Sequence, residues 1–323
     1  MRSPTLLGVV AVLVALAGCG SDPSGPPAPG ATAPAPAPAP PRSERRDEAR
    51  AAAAAVAWRR LERREDARVG VFALDTGDGR TLRHRADRRF PIASVFKAHA
   101  CAAVLHRART EEPGLLDRRV RWSAAELLDP SPVTRLHLAD GLTVRQLCSA
   151  AVRTSDNTAG NLLLRAAGGP AGLTRWLRSI GDRRTRLDRT EPELNRWAPG
   201  AVRDTTTAEA AARSLGALVL GPAAPAVDRA RLRRWLQAST TGRARIRAAL
   251  PAGWRVAGKT GTGGSLAWGS ANEVAVVWPP GRRAPVLLGV LTHRGDAGLP
   301  ADDALVAAAA RIAIRGLGLL DES

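Results

Sequence analysis

The apolar and polar positions of this 323-residue chain follow two kinds of pattern. Short apolar runs bounded by glycine or proline turns predict strands near both ends of the chain, at residues 69–75, 273–278 and 285–292. Helical spacing dominates between residues 91 and 250, and further helices are predicted at residues 44–64 and 302–317. This order predicts an α+β fold, in which an antiparallel sheet built from both termini is flanked by helices and carries an inserted all-α part.

Capping boxes predict where three helices begin. In each box a threonine and a glutamine or glutamate three residues later hydrogen bond reciprocally to backbone N–H groups. The pairs are Thr143 with Gln146, Thr190 with Glu193, and Thr206 with Glu209.

The first 43 residues carry signals of export. Arg2 precedes an apolar run over residues 6–16, which is too short to cross a membrane and predicts a signal peptide of residues 1–18. The run ends in Leu-Ala-Gly-Cys19, which resembles the bacterial lipobox, and the Pro- and Ala-rich residues 19–43 predict an extended tether. We therefore expect lipidation of Cys19 and anchoring to the outer face of the cell membrane; the alternative is a cleaved signal and full secretion.

The folded domain is predicted over residues 44–323. Its sheet part is expected at about 44–88 and 252–323, and its helical part at about 89–251. An active site is expected in the cleft between these two parts.

The net charge of +18 does not indicate nucleic-acid binding, because the arginines are spread along the chain and no basic-aromatic motif is present. Of 48 basic residues only two are lysines, Lys97 and Lys259. The pKa of a lysine shifts on burial, so that it can exchange protons, and these two are candidates for chemistry. The five histidines lack the spacing of metal ligands, and neither a metal nor a cofactor is predicted.

Lys97 follows Ser94 by three residues at the start of a predicted helix. Side chains at this spacing share a helix face, so the amine can reach the hydroxyl. A lysine of depressed pKa can act as the base that a serine nucleophile needs. The alternative is a solvated lysine in the first turn of a helix.

Ser155, Asp156 and Asn157 lie between two helical stretches. The Ser155 hydroxyl can pass a proton to a leaving nitrogen, and the Asn157 amide can hold Lys97. The alternative is a plain helix cap, because all three residue types are good caps.

The sequence Lys259-Thr260-Gly261-Thr262-Gly263 opens the second strand-rich segment. A glycine-containing strand edge lets a substrate approach closely, and the lysine and hydroxyls can bind a carboxylate. The alternative is a glycine-rich turn with an exposed lysine.

Glu191 and Asn195 stand four residues apart just after Thr190. In the helix predicted to start there, both side chains share one face and can hold a water molecule between them. The alternative is that the acidic residues of this first turn only complement the helix dipole.

These four motifs, in this order, are similar to those of the class A serine β-lactamases of actinomycetes, and the resemblance extends from about residue 45 to the end. The stretch from Thr185 to Asn195 resembles the family's omega loop almost letter for letter. The resemblance implies the fold shared by serine β-lactamases and penicillin-binding proteins, and a monomer without a cofactor. It also implies hydrolysis of β-lactam antibiotics through a serine acyl-enzyme, which confers resistance.

The resemblance implies a role for each motif residue. Ser94 is the expected nucleophile with Lys97 as its partner, and Ser155 relays a proton to the β-lactam nitrogen. Glu191 and Asn195 position the water that hydrolyses the acyl-enzyme. Whether Lys97 or Glu191 takes the proton during acylation stays open.

The resemblance also implies residues that bind substrate or hold the structure. The expected substrate-binding residues are Asn157, Lys259, Thr260, Gly261, Thr262 and Arg245, and the backbone N–H groups of Ser94 and Thr262 form the expected oxyanion hole. Arg189 and Asp204 match the ion pair that closes the omega loop. Cys101 and Cys148 stand where some family members have a disulfide, which an exported protein favours over buried thiols.

Four departures from the family pattern leave the substrate spectrum open. Pro130 stands where many relatives carry an aromatic residue, Glu273 replaces a more usual aspartate, and the hairpin at 264–269 is longer than usual. Ala93 and Gly263 occupy the positions of the cysteine pair typical of class A carbapenemases.

Two other functions compete with β-lactam hydrolysis. A penicillin-binding D-Ala-D-Ala peptidase would share the Ser–Lys chemistry but lack a water-activating glutamate, and Glu191 argues against it. A non-catalytic, β-lactam-binding lipoprotein should have a broken catalytic motif, and none of the four is broken.

Overall fold

The protein is described by a computed structural model over residues 42–281 and 283–320. Five antiparallel strands form the main sheet: β1 (Ala67–Asp75), β2 (Thr81–His84), β7 (Arg255–Gly264), β8 (Ser270–Trp278) and β9 (Val286–Arg294). Their spatial order is β2-β1-β9-β8-β7. The predicted α+β fold is confirmed, because strands from both ends of the domain pair in one sheet.

Eight α-helices occur in the described part of the chain. They are α1 (Arg42–Arg64), α2 (Phe96–Thr110), α3 (Val144–Arg153), α4 (Asn157–Ala166), α5 (Gly169–Ser179), α6 (Ala208–Val219), α7 (Ala226–Gln237) and α8 (Asp303–Gly316). None of these combines the length and the apolar character that a membrane span requires. The predicted signal peptide, Cys19 and the tether up to residue 41 lie outside the described residues, and α1 begins within the last two residues predicted as tether.

The main sheet is buried on both faces. Val71 and Ala73 point into a core shared with α1 and α8, whereas Phe72 between them points into a core shared with the inserted helices. The α1 and α8 helices are also tied directly, because the Trp58 indole N–H donates a 3.1 Å hydrogen bond to the Ala309 carbonyl. Burial on both faces explains why residues 274–278 of β8 and 286–291 of β9 are continuous apolar runs rather than alternating ones.

Four short strands connect the helical part. The pair β3 (Phe90–Pro91) and β6 (Thr205–Thr206) joins the approach to α2 with the end of the 182–206 segment, and β4 (Arg119–Val120) pairs with β5 (Leu142–Thr143). Ile92 donates a 2.9 Å backbone hydrogen bond to Asp204 beside the first pair. These contacts bring the 182–206 segment next to the start of α2.

The capping-box predictions have different outcomes. The Thr143 box is present, and the Thr143 hydroxyl accepts from the Gln146 N–H at the start of α3. The Thr206 box is wrong by one residue, because Thr206 belongs to β6 and Thr207 caps α6 instead. The pairing of Thr206 with Phe90 takes that threonine out of reach of the helix start.

Candidate active site

Ser94 lies at the junction between the sheet and the inserted helices. It is in a 3-10 turn of Ala93–Val95 that leads directly into α2, and it is nearly buried. Ala93 has φ of 43°, a left-handed conformation that is strained for an alanine and common at functional sites. Strand β7 passes close to this turn at Gly261, where a Cβ would lie 3.0 Å from the Ile92 carbonyl oxygen. A glycine is therefore needed for the strand to approach Ser94.

Lys97 lies on the first turn of α2 with its ammonium group fully enclosed. Its Nζ atom donates to Ser94 Oγ at 2.8 Å, to the Ser155 carbonyl at 2.8 Å and to Asn157 Oδ1 at 2.5 Å. Burial lowers the pKa of Lys97, and the nearby Glu191 carboxylate opposes that effect. The stem packs on α4 at Gly160, where a Cβ would lie 2.6 Å from Lys97 Cε. The alternative of a solvated lysine is therefore wrong.

The Ser-Asp-Asn motif is both a helix cap and part of the site. Asp156 is the N-cap of α4 and accepts from the Ala159 N–H at 2.9 Å. The flanking Ser155 and Asn157 contact the two lysines, and Asn157 also donates from Nδ2 to the Asp129 carbonyl at 2.8 Å. The two interpretations of this motif apply to different residues within it.

Lys259 reaches the site from β7. Its Nζ atom donates to Ser155 Oγ at 3.0 Å and to the Thr260 carbonyl at 2.8 Å, and the side chain is fully buried. Burial lowers the pKa of Lys259 well below its usual range, and the positive charges of Lys97 and Arg245 lower it further. The predicted strand is present, and the alternative of an exposed lysine in a turn is wrong.

Arg245 lies against β7 from the side of α8. Its Nη2 donates to Thr262 Oγ1 at 2.6 Å and its Nη1 to the Gly261 carbonyl at 2.9 Å. Its Nε donates to Asp303 Oδ1 at 2.8 Å, so Asp303 fixes the direction of the guanidinium group. Sequence reasoning missed Asp303, because nothing in its local sequence distinguishes it from an ordinary acidic residue in the first turn of α8.

Glu191 lies on the 182–206 segment opposite α2 and α4. Its Oε1 accepts from Ser94 Oγ at 3.1 Å and lies 3.2 Å from Lys97 Nζ, while its Oε2 accepts from Asn195 Nδ2 at 2.7 Å. Asn161 on α4 holds the Glu191 backbone from both sides, with its Oδ1 accepting from the N–H at 2.9 Å and its Nδ2 donating to the carbonyl at 2.8 Å. Asn161 was also missed, although it stands four residues after Asn157 on one helix face.

The capping box predicted at Thr190 is wrong. The helix there is a 3-10 turn of Glu193–Asn195 without a side-chain cap, and it begins only after Pro192, which has no N–H to donate. The Leu194 N–H still bonds to the Thr190 carbonyl at 2.8 Å, and this bond curls the chain enough to bring Asn195 back to Glu191. Asn195 Oδ1 is buried and has no hydrogen-bond partner among the described residues.

The predicted ion pair of the loop is present. Arg189 Nε donates to Asp204 Oδ2 at 2.7 Å, and the fully buried Asp204 also accepts from the backbone N–H groups of Asp188 and Arg189 at 2.8 and 2.9 Å. Arg189 Nη2 also donates to the Arg196 carbonyl at 2.8 Å. These bonds tie the part of the segment that precedes Glu191 to the part that follows it.

Cys101 and Cys148 meet in the core between α2 and α3. Both are buried thiols in the structure, so the expected disulfide is not formed there. Burial and a hydrogen bond with the Cys148 thiol raise the pKa of Cys101.

The motif side chains converge on one cleft with a cavity of about 220 Å³. It is lined by Ser94, Pro130, Thr154, Ser155, Asn157, Glu191, Asn195, Thr241, Arg245, Thr260 and Thr262. A nucleophile with an adjacent amine, a carboxylate and a cationic strand edge is the arrangement required for acyl transfer to water from a substrate that bears a carboxylate.

Residues 52–317 match the model of the Beta-lactamase enzyme family. The chain is 52% identical over 258 residues to "Beta-lactamase AST-1" of Nocardia asteroides, covering 80% of this chain and 82% of that protein. It is 48% identical over 260 residues to "Carbapenem-hydrolyzing beta-lactamase KPC" of Klebsiella oxytoca, covering 80% of this chain and 87% of that protein. A solved β-lactamase structure from Streptosporangium roseum superposes with a TM-score of 0.81 at 49% identity and covers 83% of this chain and 100% of that one.

Proposed function

This chain belongs to the class A serine β-lactamases, enzymes that hydrolyse β-lactam antibiotics and confer resistance to them, and we propose that its hydrolysis runs through an acyl-enzyme on Ser94 that Glu191 helps to deacylate. The observation that carries this proposal is the position of Glu191. Its carboxylate contacts the nucleophile through one oxygen and Asn195 through the other.

In the acylation step, Ser94 Oγ attacks the β-lactam carbonyl carbon. Its proton passes to the Lys97 amine or to Glu191, which lie 2.8 and 3.1 Å away. The backbone N–H groups of Ser94 and Thr262 stabilise the oxyanion, a contribution of roughly 10²–10³ in rate for each donor. When the C–N bond breaks, Ser155 gives its proton to the leaving nitrogen and regains one through the neighbouring lysines.

In the deacylation step, a water molecule attacks the ester carbonyl. Glu191 accepts the proton of this water, and the unpartnered Asn195 Oδ1 accepts its second hydrogen bond. The tetrahedral intermediate collapses, the C–O bond to Ser94 breaks, and the serine takes back a proton.

The strand edge supplies recognition of the substrate carboxylate. Lys259, Arg245 and the hydroxyls of Thr260 and Thr262 lie along β7 beside the cleft. The Thr260 hydroxyl also hydrogen bonds with Thr241 Oγ1 at 2.6 Å, which adds Thr241 to this group.

A time course with a chromogenic cephalosporin tests the proposal on the protein lacking residues 1–41. The wild type should turn over many equivalents, and Ser94→Ala should reduce kcat by about 10⁴-fold or more. A wild-type burst of one equivalent without further turnover would support a penicillin-binding peptidase instead. No reaction with any β-lactam would support the non-catalytic binding protein.

We also propose that the chain is exported and anchored through a lipid on Cys19, as a monomer. The apolar run at 6–16, the lipobox-like sequence and the Pro- and Ala-rich residues that follow support this proposal. Expression in the source bacterium should give protein in the membrane fraction, and Cys19→Ser should release it to the medium. Wild-type protein in the medium would support full secretion, and gel filtration of the released form would test the monomer.

After export we propose that Cys101 and Cys148 become oxidised. Both thiols are already in contact in the core, and exported proteins meet an oxidising environment. Mass spectrometry of alkylated protein should find both cysteines protected before reduction and modified after it. Free thiols in freshly exported protein would contradict this.

A further inference from the structure

A second cleft, separate from the active site, lies at the base of the 182–206 segment. Its cavity of about 410 Å³ lies between the start of this segment and α6, and it shares no lining residue with the active-site cavity. Arg183, Arg184 and Arg213 lie at its polar edge, and Ile180 and Ala217 contribute an apolar part. We call it the basic cleft.

Two of the cleft's arginines have no acidic partner. The Glu209 carboxylate is shared by Arg83 and Arg213, with its oxygens 2.5 and 2.8 Å from their nitrogen atoms. Among the described residues, Arg183 and Arg184 have no carboxylate within 4.0 Å, and the only side-chain hydrogen bond of either is a long one, 3.4 Å, from Arg184 Nη2 to the Asp87 carbonyl.

The carboxylates nearby are already engaged. Asp182 is buried and accepts from Thr185 Oγ1, from Ser214 Oγ and from two backbone N–H groups. Asp188 pairs with Arg186. Neither carboxylate is therefore free to neutralise Arg183 or Arg184. Asp87 at the cleft edge adds only one further negative charge.

Further arginines surround the cleft. Arg89 donates to the Arg184 carbonyl at 3.0 Å and to Thr205 Oγ1 at 2.8 Å, and Arg178 donates to the Asp182 carbonyl. Burial and the like charges of Arg184, Arg178 and Arg186 lower the pKa of Arg89. Like charges at this density repel one another and destabilise the folded state unless an anion binds among them.

We propose that the basic cleft binds a ligand that carries a phosphate or pyrophosphate group. The planar guanidinium groups of Arg183 and Arg184 can each make paired hydrogen bonds to phosphate oxygens, which chloride cannot accept in the same way. The apolar part of the cleft, at Ile180 and Ala217, suits a ligand with an apolar portion next to its phosphate. Such a group can come from a soluble organic phosphate or from a phospholipid headgroup.

Binding at this position also connects the ligand to the catalytic loop. Arg89 bridges the outgoing residue 184 and the returning residue 205, and Arg186 pairs with Thr205 through the backbone. An anion that neutralises the arginines removes repulsion where the two ends of the 182–206 segment meet. Ligand binding should therefore raise the melting temperature.

The test is calorimetric titration of the protein lacking residues 1–41 with sodium pyrophosphate at constant ionic strength. We expect one saturable site, a Tm rise of roughly 2–4 °C at saturation, and at least about tenfold weaker binding for Arg183→Gln/Arg184→Gln. The control Arg60→Gln/Arg63→Gln removes the same charge from the exposed face of α1 and should change the affinity less than about twofold. Thr260→Ala/Thr262→Ala should also retain binding, because it alters only the active-site cleft.

Parallel flotation with phosphatidylglycerol vesicles distinguishes the two sources. Binding to vesicles without binding to pyrophosphate, again lost only in Arg183→Gln/Arg184→Gln, would support the site with a lipid headgroup as its ligand. The proposal is overturned if neither probe binds, if both arginine pairs weaken binding equally, or if binding disappears in Thr260→Ala/Thr262→Ala.

Discussion

The two walls of the active-site cleft are held in place by different means. Ser94 lies in the 3-10 turn that leads into α2, and Lys97 lies in the first turn of that helix. The residues around them belong to the larger of the two apolar cores, and this packing of the helical wall fixes their positions. Glu191 lies on the 182–206 segment, in which the only regular elements are one three-residue 3-10 turn and the two residues of β6. Its position depends on a few polar side chains, chiefly Asn161 and the Arg189–Asp204 pair.

This difference predicts that the two halves of the reaction can be separated by mutation. Substitutions that disturb the helical wall should impair acylation, whereas substitutions in the polar supports of the 182–206 segment should impair deacylation. The expected effects below run from the largest to the smallest.

Gly160→Ala should give the largest effect, on the helical wall. The new Cβ would lie 2.6 Å from Lys97 Cε, so the Lys97 side chain must shift, and we expect its amine to lose its position beside Ser94. We expect the acylation rate constant to fall by about 10²–10³-fold, measured in single-turnover stopped flow. When Gly160→Ala is added to Lys97→Ala, the acylation rate constant should fall little further than in Lys97→Ala alone. If the two losses were additive, Gly160 would act through a group other than Lys97.

Asn161→Ala should affect the opposite wall. It removes both hydrogen bonds that hold the Glu191 backbone and leaves Lys97 untouched. We expect the deacylation rate constant to fall by roughly 10–100-fold, because a misplaced base loses much of its contribution. The acyl-enzyme should then accumulate during steady-state turnover, and an equal loss in acylation would contradict the separation of the two walls.

Part of this contrast was visible in the sequence. The catalytic motifs are short and local, so the spacing of Ser94 from Lys97 and of Glu191 from Asn195 already predicted that these side chains meet. The supports could not be predicted in the same way, because Asn161 and Asp303 bind residues 30 and 58 positions away in the chain. The predicted helix cap at Thr190 failed because Pro192 changes the local backbone, although the contact that it was meant to explain exists.

Arg189→Ala should reduce stability and deacylation together. It leaves the fully buried Asp204 carboxylate without its cationic partner. Since Arg189 itself is partly exposed, we expect a loss of about 2 kcal/mol in the free energy of unfolding and a deacylation defect smaller than that of Asn161→Ala. Urea unfolding measures the first quantity, and Arg186→Ala, which removes an exposed ion pair of the same segment, is the matched control. An equal loss in both variants would contradict the account.

Glu273→Gln should have the smallest effect, at a buried position on β8 that pairs with Thr260 of β7. Burial raises the pKa of Glu273 from 4.5 to about 7, so its protonated form is favoured by folding. The stability that protonated Glu273 contributes is fully present below pH 4.5 and is lost as the pH rises through 7. At pH 8 we expect the free energy of unfolding of Glu273→Gln, measured with urea, to exceed that of the wild type by about 1–2 kcal/mol. At pH 4.5 we expect no such difference.

Glu62→Gln is the control with the opposite sign. Burial opposes ionisation of Glu62, but hydrogen bonds from Arg85 and from the Val69 N–H, together with the His84 ring 3.4 Å away, outweigh it and lower the pKa to about 2. The stability that ionised Glu62 contributes is therefore present above pH 4.5 and is lost as the pH falls towards 2. The wild type should exceed Glu62→Gln in stability at pH 7 and lose that advantage in acid, and parallel pH trends for the two variants would contradict both assignments.

The central claim is that the wall carrying Glu191 is needed to release the product from Ser94. The most direct test is quenched-flow mass spectrometry of Glu191→Ala with benzylpenicillin, beside the wild type and Ser94→Ala. We predict a stoichiometric adduct on Ser94 that persists for many wild-type turnover times and is absent in Ser94→Ala. Sustained turnover by Glu191→Ala, without an accumulating adduct, would contradict the claim.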